Sequence, residues 1–498
     1  MKKYILIILC CLTSFPLWSY NVNMIVEHYS VDQGLPNNTV NCTLKDRDGF
    51  IWFGTWYGLC CFDGVKFKTF NKQEHDSDVP PRKIQRIVED KNGYIWVKTI
   101  DRKLYVFNKV TECFHAVYDD MKNYSENIQV IKLQNTAEGD VLLLTKDKNL
   151  LLAGVDEKGQ VTIKILFDSR DEINKHDYTL KHHVLCETEE YISWIGTDYK
   201  VSAVHKGAEL ASRPADFITS KINSGDKDSF TSFFEDGRKV WVGDRAGIFY
   251  SIDVRTGLVN RYVLSEIKGA ISNLLVTPAG YVYLSVAGQG TYEYDLAERR
   301  LQKINTEMND AMVTHAFIDQ YDKIWFHENE KALIYYDPLN HTAKRFPFTM
   351  FGKITTLYSE DAGERGLFFL SPAGEAWLFD REHAEMVYIN KLKQLSNDRA
   401  NQQFYHLMLD NDGVLWLSSA DEGVYCMNFP KKQFNLLSLS PQSAGQENYT
   451  IGVRALFQSK SGDIWVGTRW QSVYRMDRNG VTKHVFSTGD EHIGNVYH

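Results

Sequence analysis

Proline is scarce in this sequence, and several kinds of segment are absent. Only 11 of the 498 residues are proline, and no stretch is rich enough in proline, glycine or serine to act as a long linker. Charges of both signs are interspersed, the formal net charge is −8, and no basic block occurs, so nucleic-acid binding has no electrostatic support. Beyond residue 20 no run reaches the roughly 18 apolar residues of a membrane-spanning helix.

Cysteine is also sparse. Of eight cysteines, two lie in the first 20 residues, and the remaining six form no C-x-x-C pair, so a zinc site has no support. Most of these six are expected to be buried small hydrophobes. An oxidising compartment would allow a bridge from Cys42 to Cys60 or to Cys61.

The N-terminus has the pattern of a secretory signal peptide. Lys2 and Lys3 precede a nearly continuous apolar run, Tyr4–Leu12, and a helix-breaking Pro16 is followed by the small Ser19. The run is too short to anchor stably in a bilayer, so we predict a cleaved signal over residues 1–20 and an exported, soluble chain.

What is present in abundance is aromatic residues, at 13%, arranged in a cassette that recurs about every 45 residues. Clear copies are Val40–Phe67, Ile84–Phe107 and Val453–Met476. Each has four β-patterned runs joined by short turns, such as Asp46-Arg47-Asp48-Gly49, in which glycine accepts positive φ. Four antiparallel strands of this kind make one blade of a β-propeller, so we predict an all-β propeller.

The second strand of each cassette carries a large apolar marker that we expect to pack between neighbouring blades rather than to bind a ligand. Ten copies are found, with markers Trp52, Trp96, Leu142, Trp194, Trp241, Tyr283, Trp325, Phe368, Trp416 and Trp465.

The best copy resembles a known family. Gly34-Leu35-Pro36-Asn37-Asn38-Thr39-Val40 followed by Asp46-x-x-Gly49-x-Ile51-Trp52-Phe53-Gly54-Thr55 closely resembles the two-component regulator propeller repeat. Glu27-His28-Tyr29-Ser30 looks like the family's first strand. Similar proteins are periplasmic sensor regions of Bacteroidetes hybrid two-component histidine kinases. There, two seven-bladed propellers precede a β-sandwich, a membrane helix and the kinase, and the ligands are typically oligosaccharides.

The chain departs from that arrangement because it stops after the tenth cassette. We therefore predict a seven-bladed propeller over residues 21–350 and an incomplete second propeller of about three blades over residues 351–498. A ten-bladed ring is disfavoured, since propellers usually have four to eight blades. No kinase motif, cofactor motif or metal site is predicted. The membrane would be reached only through segments that the chain lacks.

Candidate ligand residues lie in the turn after the second strand, on the face that also carries the connections between blades. Exposed aromatic rings beside Asp or Arg suit sugars, because rings pack on C–H groups while polar neighbours bind hydroxyls. The candidates are Trp56, Tyr57, Asp198, Tyr199, Asp244, Arg245, Arg469 and Trp470. The alternative interpretation is that each of these is an ordinary turn residue that packs on the next blade.

Three weaker candidates are better explained structurally. Lys181-His182-His183 is expected to be a solvated loop. His315, in a first strand, is expected to be a structural histidine, with an orientation into the channel as the alternative. The turn residues Asp46, Asp48, Asp90 and Asp410 lack the remaining calcium-ligand pattern and are expected to form turns.

Three functions stay open. The first is a non-enzymatic periplasmic sensor region that binds an oligosaccharide, acts as a homodimer and controls polysaccharide-utilisation genes. The second is a propeller-type carbohydrate-active enzyme such as a lyase, which needs a convergent acid/base set. The third is a propeller that binds a protein partner.

Overall fold

The computed structural model describes most of the chain from residue 25 to residue 486. The described residues are 25–70, 81–122, 129–147, 149–167, 185–188, 190–195, 200–207, 217–221, 230–304, 313–328, 331–351, 358–361, 366–371, 375–391, 404–428, 452–468, 473–477 and 481–486. The predicted signal peptide lies outside this set. No helix among these residues is long and apolar enough to cross a membrane.

The described strands form ten four-stranded antiparallel sheets, numbered here in chain order. Sheet 1 contains Val40–Lys45, Ile51–Thr55, Gly58–Phe62 and Phe67–Phe70, and sheet 2 contains Ile84–Glu89, Ile95–Thr99, Leu104–Asn108 and Cys113–Ala116. Sheet 3 contains Val130–Asn135, Val141–Thr145, Leu150–Val155 and Val161–Phe167, and sheet 4 contains Leu185–Glu187, Tyr191–Ile195, Lys200–His205 and Phe217–Lys221. Sheet 5 contains Phe230–Glu235, Lys239–Asp244, Ile248–Asp253 and Val259–Val263.

Sheets 6 to 10 continue the pattern. Sheet 6 contains Ile271–Val276, Tyr281–Val286, Gly290–Asp295 and Arg300–Lys303, and sheet 7 contains Val313–Ile318, Ile324–Glu328, Ala332–Asp337 and Thr342–Pro347. Sheet 8 contains Tyr358–Asp361, Leu367–Leu370, Glu375–Asp380 and Glu385–Lys391, and sheet 9 contains Phe404–Leu409, Leu415–Ser419, Val424–Asn428 and the N-terminal Ile25–Tyr29. Sheet 10 contains Val453–Gln458, Ile464–Thr468, Val473–Met476 and Thr482–Phe486. Short helical turns lie at Val31–Gln33, Tyr118–Met121 and Phe348–Phe351.

Sheets 1 to 9 pack in a closed cyclic order. Each successive pair shares a cluster of buried apolar side chains. Sheet 9 returns to sheet 1, where Trp416 and Val424 pack with Val40 and Phe53. The prediction of an all-β propeller is therefore confirmed.

The division of the chain differs from the prediction. The contacts separate residues Met1–Phe429 from residues Pro430–His498, rather than dividing the chain after residue 350. The physical reason is long-range pairing, because Ile25–Tyr29 is the outermost strand of sheet 9, where Tyr29 pairs with Val424. Sheets 8 and 9 thus belong with the first seven, and only sheet 10 falls in the second unit.

The marker positions pack as predicted wherever their side chains are described in the first unit. Trp52, Trp96, Trp241, Trp325 and Trp416 are buried, as are Leu142, Tyr283 and Phe368. Trp465 in sheet 10 is only half-buried. The Trp194 side chain lies outside the described set.

The first strand of each sheet is the innermost, and it approaches its neighbours closely. A Cβ atom at Gly54 would collide with Cys42 Sγ and would lie 2.6 Å from Ile84 Cγ2 of the next sheet. Glycine in the Trp-x-Gly-Thr strand therefore lets adjacent blades meet at this position.

The cysteine bridges allowed by the sequence are not formed. Cys42, Cys60 and Cys61 are free thiols. Burial raises the pKa of each of the three thiols to about 12, so they are protonated at neutral pH. Their role is apolar packing.

Candidate ligand-binding site

A repeated hydrogen-bonded unit fixes the turn between the first two strands. In sheet 1, Asp46 Oδ1 accepts the backbone N–H groups of Asp48 (3.0 Å) and Phe50 (2.9 Å). Asp46 Oδ2 accepts the indole N–H of Trp52 at 2.8 Å. The indole bond recurs in four pairs, Asp90–Trp96, Asp236–Trp241, Asp319–Trp325 and Asp410–Trp416. Asp46, Asp90 and Asp410 are thus confirmed as turn formers.

Ion pairs join neighbouring sheets along this edge. Lys109 Nζ lies 3.1 Å from Asp46, 2.7 Å from Asp48 and 2.8 Å from Glu89. Burial works to lower the pKa of Lys109, but hydrogen bonds to the three carboxylates outweigh it and raise that pKa. The three carboxylates are close enough to share a metal ion, and the lysine ammonium stands among them. This cluster therefore cross-links sheets 1 and 2.

Similar pairs occur at five other sheet interfaces. They are Lys45–Asp410, Lys91–Asp140, Lys206–Glu138, Arg255–Glu190 and Arg381–Asp319. Cavities instead lie along this edge between sheets 5 and 6 and between sheets 6 and 7.

These two cavities, of about 780 and 370 Å³, form what we call the groove. Both are lined by Thr277, Pro278 and Asp322, so they adjoin at the turn of sheet 6. Their aromatic lining residues are Phe234, Trp241, Tyr281, Tyr283 and Tyr321. Aromatic walls combined with a few polar groups are typical of ligand sites.

A buried carboxylate lies in the wall of the smaller cavity. Glu293 Oε2 accepts the hydroxyl of Tyr283 at 3.0 Å and that of Tyr336 at 3.3 Å. The Tyr336 hydroxyl is also 3.1 Å from Nδ1 of His341, which is exposed at the rim. Burial, followed by the charge of Glu293, raises the pKa of both phenols, so they stay protonated as donors. In sheet 6 this arrangement replaces the Asp–Trp bond, because Thr277 and Tyr283 occupy those positions.

The predicted ligand loop of sheet 1 lies on the other edge. The Trp56 N–H donates to the Thr39 carbonyl at 3.2 Å, and the Lys83 N–H donates to the Trp56 carbonyl at 2.9 Å. Thr39 and Lys83 belong to the connections before sheets 1 and 2, so the loop shares a face with them, as predicted. Trp56 is 42% and Tyr57 62% exposed, and Lys83 Nζ is 5.3 Å from the Trp56 ring centroid.

The other predicted ligand residues divide into two groups. Asp244 is buried, and its Oδ1 accepts the N–H groups of Ala246 and Ile248 within its own turn. Arg245 is exposed. The remaining predictions fall outside the described residues; these are Asp198, Tyr199, Arg469, Trp470 and the Lys181-His182-His183 loop.

The innermost strands of sheets 5 to 7 line a third cavity, of about 610 Å³. His315 is exposed to it, on the same layer as Ser232 and Asn273. His315 pairs across strands with His327, whose pKa is lowered by burial and then by the charge of His315. The histidine predicted to be structural therefore faces the ring interior.

The sequence alone does not predict the groove, although it contains one indication of its position. Sheet 6 lacks both the turn Asp and the marker Trp, and the cavities open on either side of that sheet. Which residues then line the opening depends on packing between cassettes.

Comparison with known proteins agrees with the repeat. Residues 34–57 match the model of the two component regulator propeller. The chain carries this repeat. The matched residues end at the exposed Trp56–Tyr57 pair. No match was found among curated proteins.

Solved propeller structures resemble the chain weakly. The extracellular domain of BT3049 from B. thetaiotaomicron, named as a hybrid two component system, is 15% identical with a TM-score of 0.30; the alignment covers 95% of this chain and 68% of that one. The extracellular domain of BT4673 from the same organism is 16% identical with a TM-score of 0.29, over 91% of this chain and 61% of that one. Virginiamycin B lyase from Staphylococcus aureus is 8% identical with a TM-score of 0.31, over 81% and 99%.

Proposed function

We propose that this chain is the ligand-sensing region of a hybrid two-component regulator that lies outside the cytoplasm. Its ligand is an oligosaccharide, and its output is control of polysaccharide-utilisation genes. The match of residues 34–57 to the two component regulator propeller supports the regulatory role. The signal-peptide pattern of residues 1–20 supports export to the periplasm.

The observation that carries the ligand assignment is the groove across sheets 5 to 7. Its tyrosine rings offer faces for sugar C–H groups, and Tyr321 has the Arg381 guanidinium 4.4 Å from its ring centroid. Asp322, Lys323 and His341 supply polar groups at the rim for hydroxyls. The two cavities of the groove adjoin at the turn of sheet 6, and we propose that one oligosaccharide contacts both.

The loop of Trp56 and Tyr57 is a second place where the same ligand could bind. Two hydrogen bonds fix the Trp56 backbone to the neighbouring connections, so its exposed ring is presented at little entropic cost. Arg245 belongs to the equivalent loop of sheet 5. Signal output requires that the ligand favour one arrangement of protomers, and we propose a homodimer as the unit that responds.

Binding of an oligosaccharide panel measured by calorimetry tests the assignment. Tyr321→Ala should weaken binding at least tenfold if the groove is used, and Trp56→Ala should do so if the loop is used. Tyr388→Ala is the matched control, because Tyr388 is an exposed aromatic residue on an outer strand, away from both places. Retention of full affinity in both test variants would overturn both placements.

The fate of the ligand separates a sensor from an enzyme. The lyase or hydrolase alternative is favoured by one observation, the presence of Glu293 and Asp322 in the lining of one cavity. Prolonged incubation followed by mass analysis should return the oligosaccharide intact. Cleavage that Glu293→Gln abolishes would instead establish an enzyme.

A further inference from the structure

The inner strands of sheet 2 carry two paired cations, whereas sheet 3 carries one at the corresponding positions, Lys132 opposite Leu144. Arg86 on the first strand pairs in register with Lys98 on the second. The corresponding pairs are Cys42–Gly54 in sheet 1, Ser232–Gly243 in sheet 5 and His406–Ser418 in sheet 9. Like charges directly opposite on neighbouring strands are destabilising, so this pair needs a compensating partner.

Lys98 is a buried amine that no described carboxylate neutralises. Only 7% of the residue is exposed. Its Nζ donates to Gln85 Oε1 at 2.8 Å and to the Ile131 carbonyl at 2.6 Å. An ammonium has three donors, so one N–H remains for another acceptor. Burial, and then the charges of Arg102 and Arg86, lower the pKa of Lys98 to about 8.

Arg86 extends this positive region towards sheets 1 and 9. Its side chain is exposed on the innermost strand, and no described acidic side chain forms an ion pair with it. Its charge reaches His406 on the first strand of sheet 9 and lowers the pKa of that histidine, after the larger effect of burial. His406 Nδ1 is shielded from solvent, and no described group bonds to it.

We propose that Arg86 and Lys98 form an anion-binding site inside the ring, which takes the carboxylate or sulfate group of a ligand. An anion there would accept the unused N–H of Lys98 and a fork of N–H groups from Arg86. It would also offset the repulsion between the two cations. The site adds a ligand preference to the proposed function, because it selects acidic over neutral oligosaccharides. That the anionic group belongs to a sugar rests on the proposed function.

Titration with three probes tests the site directly. Sodium sulfate and sodium D-glucuronate are compared with D-glucose at constant ionic strength and pH 7, by calorimetry and by the thermal unfolding midpoint. We expect at least one anion to bind and stabilise the protein, and glucose to have no effect. Sulfate alone would identify the sulfate group, and glucuronate alone the carboxylate. Equal responses to all three probes would overturn the proposal.

Two variants and a control place the binding. Arg86→Gln and Lys98→Met should each weaken anion binding at least tenfold. Lys103→Met is the matched control, because Lys103 is an exposed lysine in the turn beside the same strands. Unchanged anion affinity in both test variants would overturn the placement. Neutral-oligosaccharide binding that depends on Tyr321 should survive Arg86→Gln, so failure of the groove and failure of the anion site are distinguishable.

Proton uptake provides a readout that altered folding would not mimic. Near pH 8 about half of the Lys98 amines are neutral, so anion binding should take up about half a proton per site. Calorimetry in two buffers of different ionisation enthalpy measures this uptake. Lys98→Met should abolish it, and persistence of the uptake in that variant would contradict the role of Lys98.

Discussion

Leu274 in sheet 6 and Leu456 in sheet 10 occupy the same position of the same first strand, yet they are 2% and 69% exposed. In the first unit, this strand is covered by the neighbouring sheets of the closed ring. In the second unit, Phe457 is also exposed on it. The apolar side chains of a cassette are therefore buried by the neighbouring sheet and not by the cassette's own four strands.

Matched truncation of the two leucines should give the largest contrast. Leu274→Ala removes a fully buried side chain and should lower the free energy of unfolding by about 3 kcal/mol. Leu456→Ala should change it by less than about 0.5 kcal/mol, since little buried area is lost. Chemical denaturation of both variants measures the difference. Equal losses of unfolding free energy would contradict the burial of Leu274 and the exposure of Leu456.

Two glycines with similar backbone angles test the closure of the ring. Gly423 (φ +92°) lies where a Cβ atom would collide with the Tyr29 carbonyl oxygen, whereas Gly462 (φ +88°) in sheet 10 has nothing within 4 Å. Gly423→Ala should cost about 2 kcal/mol or more and expose the amides of residues 25–29 to hydrogen exchange. Gly462→Ala should cost only about 1 kcal/mol, from its φ alone. Protected amides at 25–29 in Gly423→Ala would mean that the strand closes elsewhere.

Exchanging the turn residues between the regions should shift stability in opposite directions. Asp90→Ser leaves the buried indole N–H of Trp96 without its acceptor and should cost about 1–2 kcal/mol. Ser459→Asp in sheet 10 supplies the missing carboxylate below Trp465 and should gain up to about 1 kcal/mol. Thermal unfolding measures both. A gain in the first variant or a loss in the second would show that the Asp–Trp unit does not transfer.

The last expected effect is a pH dependence measured within about one pH unit, and sheet 10 cannot show it, because it has Gly467 where sheet 2 has Lys98. The pKa of Lys98 is lowered from 10.5 to about 8, so the unfolded chain binds more protons between these values. Stability should therefore rise with pH from about 8 towards 10.5, by about 1 kcal/mol over the first unit or so of pH. Lys98→Met should lack this rise. Parallel pH curves for the two proteins would contradict the lowered pKa.

The repeating parts of the fold could be read from the sequence because each depends on neighbouring residues. Asp46, Gly49 and Trp52 lie within one turn and one strand, and their roles as turn former and buried marker follow from that spacing. Ring closure could not be read, since every cassette carries the same signals and the pairing of Tyr29 with Val424 is long-range. The usual range of four to eight blades also favoured a division after seven.

The candidate sites were less predictable for a related reason. Trp56 and Tyr57 could be placed on a loop because they follow a recognisable strand, and their ligand role stays a prediction. The groove arises from side chains of three cassettes, so no local pattern marks it. Lys98 is an intermediate case, because a lysine in the glycine position of the Trp-x-Gly-Thr strand was visible, but its pairing with Arg86 depends on a bulge in the register.

The pairing of the N-terminal strand with sheet 9 also sets an order of events during synthesis. His28 and its hydrogen-bond partner Glu422 are 394 residues apart, so the first strand made is among the last to find its place. At about 5–20 residues per second, the strand waits on the order of 20–80 s for the ribosome to deliver its neighbour. Throughout that interval the backbone N–H and C=O groups of the strand are unpaired and can pair with other strands. This exposure ends only when sheet 9 has been synthesised and the ring closes.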